Sequence, residues 1–495
     1  DEEDEEEDEE DEEGDDNAYC QVVDPEKTRD VSDLGWPEVR RVLELAEGGE
    51  EAAPLVMPPR VLPPSDSSEL QPLLLLLGTA VFSATKHKDH TRKDARKTPY
   101  ISHPLAVARI LAEVGIRDLP TLQAALLHDT LEDTATTGAE LLGAFGGEVA
   151  GLVESLTDDD SLRPTERKLV QLRGVTSLAF KAKLVRIADK LHNVWDLVHH
   201  GIPGWTAART ERYVAWACEL VTALKGTHAG LEERFHREFS LPPGYTLGDW
   251  ERDAAGDQDL VSLGDLPPAP EPSDHQGDDD KELGEHKAVF SLLRAAEFLA
   301  KRAPRAGAKG GGAEIARALQ HAHVLAQMGV RDSETLHATL LRGLEVEAGS
   351  EIRSSFGSEV SNLLIALSRA SDADADEAGV AAPDLLRLPF KAKLIILAEQ
   401  LQRVKALQVS GLADAAAEAD FVEQVERASC IRRLFAGTHA RLEAGLDEVF
   451  DGHVRLASGE LVPVAMQRVG DRPPPPQRSR GSLRKSSKNL GATAM

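Results

Sequence analysis

The sequence predicts an all-α protein made of two tandem helical-bundle domains with disordered tails. Apolar residues recur at helical spacing over about 71–240 and again over 285–452. Aromatic residues make up only 4% of the chain, which suits a helical protein rich in Ala and Leu. Four short landmarks of the first block also recur, in the same order, in the second block. The fold class and the number of domains follow from these three observations.

The second helical block repeats the first at a nearly constant distance along the chain. The offsets between four matching pairs are 214, 211, 210 and 211 residues. A near-constant offset over several landmarks indicates the tandem duplication of one domain. The pairs are VGIRDLPTLQAALL (114–127) with MGVRDSETLHATLL (328–341), FGGEV (145–149) with FGSEV (356–360), FKAKL (180–184) with FKAKL (390–394), and GTHA (226–229) with GTHA (437–440).

Segments rich in charge, proline or glycine flank and separate the two blocks. Residues 1–70 are interpreted as an acidic disordered tail and linker, 241–284 as a Pro/Asp-rich linker, and 453–495 as a basic Pro/Ser-rich tail. About half of the formal net charge of −29 lies in residues 1–16, which hold 15 acidic residues. This acidic stretch is interpreted as a solubilising tail, and a contact for a basic partner is the alternative.

The composition argues against several classes of partner. A net acidic chain does not favour nucleic acid as the main partner, because phosphate contacts need a basic face. A small polyanionic substrate needs only a few local Arg and Lys residues and stays open. No apolar run approaches the ~18–20 residues of a membrane span, so no membrane partner is expected. The three cysteines form no disulfide or metal-binding pattern, which predicts a reducing compartment.

The expected location is intracellular, and cytoplasmic by default. The chain begins at Asp1 rather than Met, which we interpret as a missing true start. A targeting peptide would have been lost with that start, so an organelle such as the plastid stays open. Within the first block, Pro104 predicts the start of a helix, and Gly115 and Gly201 predict helix ends.

The segment LLHDTLEDT (126–134) places four chemically active side chains directly after an apolar run. If the helix continues, positions four apart share a face, so His128 lies near Glu132 and Asp129 near Asp133. Three carboxylates that close repel one another, and a bound cation relieves that cost. A solvated helix end that carries a stray histidine is the alternative.

Two further segments add side chains of the kind that bind metals. YISHPLAVARIL places His103 directly before a proline that opens an amphipathic helix, and IADKLHNVWDL places Asp189 in an apolar helix. A carboxylate there is costly to bury unless it is paired or bound to a metal. His103, His128, Asp129 and Asp189 would together give two nitrogen and two oxygen donors, a set that suits Mn²⁺, Fe²⁺ or Zn²⁺. The alternatives are a helix cap at His103 and pairing of Asp189 with a neighbouring lysine or arginine.

The motifs TPYISHP, ALLHDTLEDT and ADKLHN together resemble the hydrolase domain of the RelA/SpoT group in the HD superfamily. The resemblance covers roughly residues 72–240, with all three motifs in order, and it is strongest to the small stand-alone metazoan SpoT homolog. It implies an all-helical, Mn²⁺-dependent enzyme that removes the 3′-pyrophosphate of (p)ppGpp to give GDP or GTP. The same resemblance implies hydrolysis of the 2′-phosphate of NADPH as the alternative activity.

The resemblance also implies a role for each candidate site residue. The implied metal ligands are His103, His128, Asp129 and Asp189. The residues implied to orient and deprotonate the attacking water are Glu132 and Asp133. The implied substrate-binding residues are Arg92, Lys93, Asn193, Arg209 and Tyr213. Pro164 departs from the pattern, since relatives often carry lysine there, and Arg163 or Lys168 is expected to take that role.

The second block is predicted to have lost this chemistry. The residues at the positions of His128, Asp129, His103, Asp189 and Asn193 are Arg342, Gly343, Arg317, Glu399 and Arg403. The apolar landmarks persist, so we expect the fold to remain and the metal site to be gone. A regulatory partner packed on the first block is one interpretation, and a vestigial relic is the other. The arginines at the former ligand positions would suit an anionic effector or lie in solvent.

Two rival functions stay open from the sequence. One is another nucleotide phosphohydrolase on the same site, with NADPH 2′-phosphatase first. The other is a nucleotide sensor without catalysis, although the full set of ligands and candidate bases argues against it. No further block with strands and basic motifs resembles an alarmone synthetase, so synthesis is not expected.

Overall fold

In the computed structural model, helices account for 73% of the structure and strands for very little, and the predicted all-α class is confirmed. The described residues are 67–250, 252, 279–302, 311–375, 385–456 and 458–464. The acidic stretch 1–16, most of the linker 241–284 and most of the basic tail 453–495 lie outside them. No described helix has the length and apolar character that a membrane span requires.

The first part of the structure, residues 67–250, is a bundle of helices joined by short turns. Its helices are α1 (Ser67–Lys86), α2 (Ser102–Glu113), α3 (Leu119–Leu127), α4 (Thr130–Asp133), α5 (Gly138–Leu156), α6 (Pro164–Gly174), α7 (Phe180–His200), α8 (Ala207–Ala223) and α9 (Ala229–Glu238), with a 3-10 turn at Val175–Ser177. The centre is formed by α2, α3 and α7, which pack on one another and bury most of their side chains.

The second part, residues 279–464, has a similar order of helices. They are α10 (Asp279–Arg302), α11 (Gly311–Gln327), α12 (Ser333–Leu341), α13 (Glu345–Ala375), α14 (Phe390–Ser410), α15 (Ala415–Leu434) and α16 (Ala440–Phe450). A small antiparallel hairpin follows, in which β1 (His453–Arg455) pairs with β2 (Leu461–Pro463). Helix α10 begins inside the range that the sequence indicated as linker.

Helix boundaries in the first part follow local sequence signals. Pro104 lies in the first turn of α2, where its missing N–H costs nothing. Gly115 follows the end of α2 with φ of 94°, and Gly201 caps α7 with φ of 67°. These left-handed conformations are open to glycine and end both helices as predicted.

One capping arrangement occurs in both parts. Asp118 caps α3 by accepting a hydrogen bond of 3.0 Å from the backbone N–H three residues on, and Asp332 caps α12 in the same way at 2.8 Å. Nζ of Lys181 lies 2.8 Å from Oδ1 of Asp118, and Nζ of Lys391 lies 2.9 Å from Oδ1 of Asp332. The FKAKL segments that match in sequence therefore make the same ion pair.

An aromatic contact is also common to both parts. Phe82 of α1 meets Phe145 of α5 edge to face, with ring centroids 5.1 Å apart. Phe298 of α10 meets Phe356 of α13 in the same geometry at 5.3 Å. The ring contact between α10 and α13 therefore repeats the one between α1 and α5.

The two parts contact each other through their first two helices. Helix α1 packs along α11, and α10 packs along α2. The first helix of each part therefore packs against the other part. At the first contact, a Cβ added to Gly78 would lie 3.0 Å from Cε1 of His323. At the second, Arg109 donates a hydrogen bond to Glu297.

The shared capping arrangement leads to a prediction for stability. Replacing Asp118 or Asp332 by alanine removes the acceptor for the first turn of a helix, and we expect each variant to lose about 1 kcal/mol of unfolding free energy. Urea denaturation followed by circular dichroism measures the loss. Asparagine at either position keeps a capping acceptor and should cost less, and alanine variants as stable as the wild type would contradict the assignment.

Candidate metal and nucleotide site

The segment LLHDTLEDT does not continue as one helix, which corrects the expectation that its four polar side chains share a helix face. Helix α3 ends at Leu127, and α4 is a separate turn. Nδ1 of His128 lies 2.9 Å from the carbonyl oxygen of Ala125, and Oγ1 of Thr130 donates to the carbonyl oxygen of Leu127 at 2.6 Å. Because side chains satisfy these last carbonyls, α3 ends here.

Four of the predicted residues meet below the surface, where α2, α7 and the end of α3 converge. Nε2 of His103 lies 3.2 Å from Oδ1 of Asp189 and 3.6 Å from Oδ2 of Asp129. Nε2 of His128 lies 3.2 Å from Oδ2 of Asp129 and 3.8 Å from Oδ1 of Asp189. Donor atoms of His103, His128 and Asp189 all lie within 4.8 Å of one another. The structure thus brings together two imidazole nitrogens and two carboxylates.

Both imidazoles present Nε2 to the carboxylates because Nδ1 is engaged elsewhere. Nδ1 of His128 lies at the Ala125 carbonyl oxygen, and Nδ1 of His103 lies 2.8 Å from Nδ1 of His192. Nε2 of His128 is buried and makes no hydrogen bond to any described residue. Histidines that bind metals are commonly held through their other nitrogen in this way. The donor set therefore fits a divalent cation.

The charges at the cluster favour a cation. Burial acts to raise the pKa of Asp189, but the charge of Lys190, the hydrogen bond with His103 and the charges of His128 and His103 together hold that pKa well below its ordinary value. Burial also acts to raise the pKa of Asp129. The charge of His128 acts against burial, and the pKa of Asp129 lies below its ordinary value. Burial lowers the pKa of His128, but Asp129 raises it to about 9. The two carboxylates thus attract a proton to His128, and a divalent cation would replace that proton.

Three further side chains hold the carboxylates. The hydroxyl of Tyr100 donates to Oδ2 of Asp129 at 2.7 Å, and Nδ2 of Asn193 donates to Oδ1 of Asp189 at 2.5 Å. Nζ of Lys190 lies 2.9 Å from Oδ2 of Asp189. Tyr100 is not among the site residues predicted from the sequence. Its position three residues before His103, in TPYISHP, is the signal that would have identified it.

A cavity of about 450 Å³ opens above the cluster, and most of the predicted site residues line it. The predicted residues that line it are Arg92, Lys93, His103, Asp129, Glu132, Asp133, Asp189, Asn193 and Tyr213. His128 lies within the cluster and does not line the cavity wall. Arg209 is exposed and outside the lining, with its guanidinium 4.3 Å from the ring centroid of Trp205, which does line the cavity.

Basic side chains lie around the cavity, although the chain as a whole is acidic. Nη2 of Arg92 donates to Asn193 at 2.7 Å and to Asp196 at 3.0 Å. Nζ of Lys168 lies 4.8 Å from the ring centroid of Tyr213 and 4.9 Å from that of Trp216. Burial and then neighbouring cations lower the pKa of Lys168 to about 8. An anionic ligand in the cavity would relieve that repulsion.

Two residues were expected to take the role of the lysine that Pro164 replaces. Lys168 lines the cavity, as does Pro164 itself. Arg163 has a side chain that is 70% exposed, and it pairs with Glu166. Of the two candidates, Lys168 is therefore the one that a ligand in the cavity can reach.

Glu132 and Asp133 lie at the wall of the cavity on α4. Oε1 of Glu132 accepts a hydrogen bond of 2.6 Å from the backbone N–H of Asp158. Burial raises the pKa of Glu132 to about 7, and the charges of Asp158 and Asp129 act in the same direction. Burial and Asp129 also raise the pKa of Asp133. A carboxylate that titrates near neutrality is suited to accept a proton during a reaction.

The second part has no such cluster among its described residues. Arg342 and Glu399, at the positions that match His128 and Asp189, form an ion pair with each other. Arg317 is exposed, and Arg403 donates to Gln424 at 3.0 Å. A guanidinium–carboxylate pair thus lies where the first part has an imidazole and a carboxylate.

Comparisons with known proteins match the first part. Residues 80–215 match a family model described as HD domain. Guanosine-3′,5′-bis(diphosphate) 3′-pyrophosphohydrolase MESH1 of Xenopus tropicalis is 49% identical over 166 residues, 33% of this chain and 93% of that protein. The Homo sapiens protein of the same name is 48% identical over 165 residues, 33% of this chain and 92% of that protein.

A solved structure matches the same share of the chain. It is described as "A metazoan ortholog of SpoT hydrolyzes ppGpp and plays a role in starvation responses". It is 39% identical, and the match covers 33% of this chain and 94% of that one, with a TM-score of 0.33.

The cluster leads to a prediction for metal binding. His128→Ala removes one nitrogen donor, and we expect Mn²⁺, used as the probe, to bind at least about tenfold more weakly in calorimetry. Because the cation must displace the proton on His128, wild-type affinity should rise by about tenfold per pH unit up to a pH of about 9.

The exposed histidine of α9 provides the control for this prediction. His236→Ala should bind Mn²⁺ as the wild type does. Unchanged affinity in His128→Ala, or an affinity that does not vary with pH, would rule out the cluster as a metal site.

Proposed function

Because the chain belongs to the family of the guanosine-3′,5′-bis(diphosphate) 3′-pyrophosphohydrolases MESH1, we propose that its first part removes the 3′-pyrophosphate of (p)ppGpp. The observation that carries the proposal is the buried cluster of His103, His128, Asp129 and Asp189 beneath a cavity lined by basic side chains. The reaction needs a cation, a proton acceptor and groups that hold phosphate, and this cavity contains candidates for each.

The cofactor in this proposal is Mn²⁺, held by the two histidines and the two aspartates. Mixed nitrogen and carboxylate donors suit Mn²⁺, with Zn²⁺ and Fe²⁺ as chemically similar occupants. When bound, the cation would supply positive charge to the phosphoryl oxygens and would make bound water a better acid. Tyr100 and Asn193 fix the orientation of the carboxylates through hydrogen bonds.

Glu132 is proposed to accept the proton of the attacking water, with Asp133 beside it to orient that water. Both line the cavity that Asp129 and Asp189 also line. The backbone N–H of Asp158 holds one oxygen of Glu132 and leaves the other oxygen available to the water. A pKa of about 7 leaves much of Glu132 ionised at neutral pH.

The phosphates are proposed to contact the basic side chains around the cavity. Arg92 and Lys93 lie on the loop between α1 and α2, and Lys168 lies on α6. Tyr213 and Asn193 line the same cavity and are proposed to contact the nucleotide. Arg209 lies outside the lining, so we propose that it acts only once substrate reaches the rim beside Trp205.

The proposed bond changes balance without a further reactant. The oxygen of water bonds to the phosphorus that carries the ribose 3′ oxygen, and the bond from phosphorus to that oxygen breaks. Glu132 takes one proton from the water and passes it to the ribose 3′ oxygen, and the remaining OH stays on the phosphorus. Pyrophosphate leaves, and GDP remains when ppGpp is the substrate. Phosphoryl transfer of this kind depends mainly on positioning and electrostatics.

The second part is proposed to be a degenerate copy of the first, with domain limits of 71–240 and 285–452. The repeated ion pair of Lys181 and Lys391 with their capping aspartates supports the relationship. The Arg342–Glu399 pair at the former ligand positions supports the loss of catalysis. The segments at both ends and between the copies are proposed to be linkers and tails.

Two variants of the full chain test the proposed reaction. Asp129→Asn removes a metal ligand and Glu132→Gln removes the proton acceptor, and each should lower kcat for pyrophosphate release from ppGpp by about 10²- to 10⁴-fold. Glu132→Gln should retain Mn²⁺ binding, since Glu132 is not a ligand.

The control is Glu233→Gln, an equal change of charge at an exposed position on α9, which should leave kcat unchanged. If Glu132→Gln turns over as fast as the wild type, another group accepts the proton. If the wild type binds ppGpp and never releases pyrophosphate, the chain is a sensor or acts on another nucleotide, with the 2′-phosphate of NADPH first to try.

A further inference from the structure

The second part contacts the first part beside three elements of the candidate site. These elements are the loop after α1 (87–99), helix α2 and helix α7, which carry Arg92, His103 and Asp189 respectively. The contacts come from α10 and α11. The part of the chain without a metal cluster of its own among the described residues therefore touches the part that has one, close to its ligands.

The first contact is a buried ion pair between α10 and α2. Glu297 of α10 is only 5% exposed, accepts a hydrogen bond from Arg109 and lies 2.6 Å from Nζ of Lys301. Arg109 lies on the same helix as His103. A buried carboxylate must keep its cationic partners, since losing one leaves an uncompensated charge. Glu297 therefore ties α10 to α2 through Arg109, which does not line the cavity.

The second contact leads from α10 to a candidate metal ligand through rings on α7. Nζ of Lys301 lies 5.1 Å from the ring centroid of Trp195. The ring of Trp195 lies nearly parallel to that of His192, with centroids 6.5 Å apart. Nδ1 of His192 lies 2.8 Å from Nδ1 of His103. The rings of Trp195 and His192 therefore connect Lys301 to His103.

The third contact joins α11 to the loop that carries Arg92. A Cβ added to Gly312 would overlap the carbonyl oxygen of Lys88, so glycine allows this approach. Lys88 lies at the start of the loop, and the backbone N–H of Tyr100 closes the loop by donating to the carbonyl oxygen of His90 at 2.9 Å. The N-terminal end of α11 therefore sets the position of a proposed nucleotide-binding loop.

We propose that the second part acts as a partner subunit within the chain, which holds the site of the first part in its working geometry. Glu297 and Lys301 are positioning residues for His103, and Gly312 positions the loop of Arg92. This inference rests on the proposed function, because kcat and KM refer to the proposed hydrolysis of ppGpp. It explains why the second part keeps its fold and its first two helices although its own site contains the Arg342–Glu399 pair.

The proposal predicts different effects for the different contacts in the full chain. Glu297→Gln keeps the size of the side chain and removes the charge that Arg109 and Lys301 share. We expect Mn²⁺ affinity and kcat each to fall about tenfold, at the lower end of the effect of outer residues on metal sites. Lys301→Met, at a more exposed position, should lower both values in the same direction and by less.

Gly312→Ala acts on the loop instead of the ligand. It should raise KM for ppGpp by about threefold or more, since a displaced Arg92 loses charge-assisted contacts with the phosphates. Its Mn²⁺ affinity should stay at the wild-type value. A purely structural role for Gly312 would instead lower the stability of the protein. KM and Mn²⁺ affinity would then not change separately.

The matched control is Glu351→Gln, which removes an exposed ion pair with Arg302 inside the second part. It should keep wild-type Mn²⁺ affinity, kcat and KM. Wild-type values in Glu297→Gln, Lys301→Met and Gly312→Ala would overturn the proposal, and so would an equal loss of affinity in Glu351→Gln. If the wild type releases no pyrophosphate, the proposed function fails, and calorimetry with Mn²⁺ on Glu297→Gln still decides the positioning role.

Discussion

Two carboxylates, the buried Asp189 and the partly buried Asp129, face two imidazoles inside the helical bundle, and the rest of the site is arranged around their charge. Lys190 balances one of them, and the imidazole of His128 holds a proton for the other. Carboxylates in such a place are stable only with cations close by. The donor set of the cluster therefore fits a divalent cation, and the cluster lies below the cavity that basic side chains line.

The contacts between the two parts suggest why a helical block without its own cluster persists. In the second part an arginine and a glutamate pair with each other, so the carboxylate there has a cationic partner in place of a metal. Helices α10 and α11 then serve the first part, where they pack against α2 and α1. The first helix of each part packs on the other part, so the two parts bury apolar surface against each other.

Much of the fold and of the site could be predicted from the sequence, because periodicity and motif spacing are local. The all-α class, predicted from helical periodicity, is confirmed. The membership of the HD superfamily, inferred from three motifs, is also confirmed. The break after Leu127 was missed, since the apolar pattern runs on and the hydrogen bonds of His128 and Thr130 end the helix. Lys168 was named only as one of two candidates, and Glu297 was not identified, since their contacts join segments far apart in sequence.

The most direct test of the central claim is the reaction of the full wild-type chain with ppGpp, followed by chromatography of the nucleotides. With Mn²⁺ present, the account predicts equal amounts of GDP and pyrophosphate, and neither product after a chelator removes the cation. A folded chain that binds Mn²⁺ and leaves ppGpp intact would contradict the account, and so would release of pyrophosphate at the same rate with the chelator present.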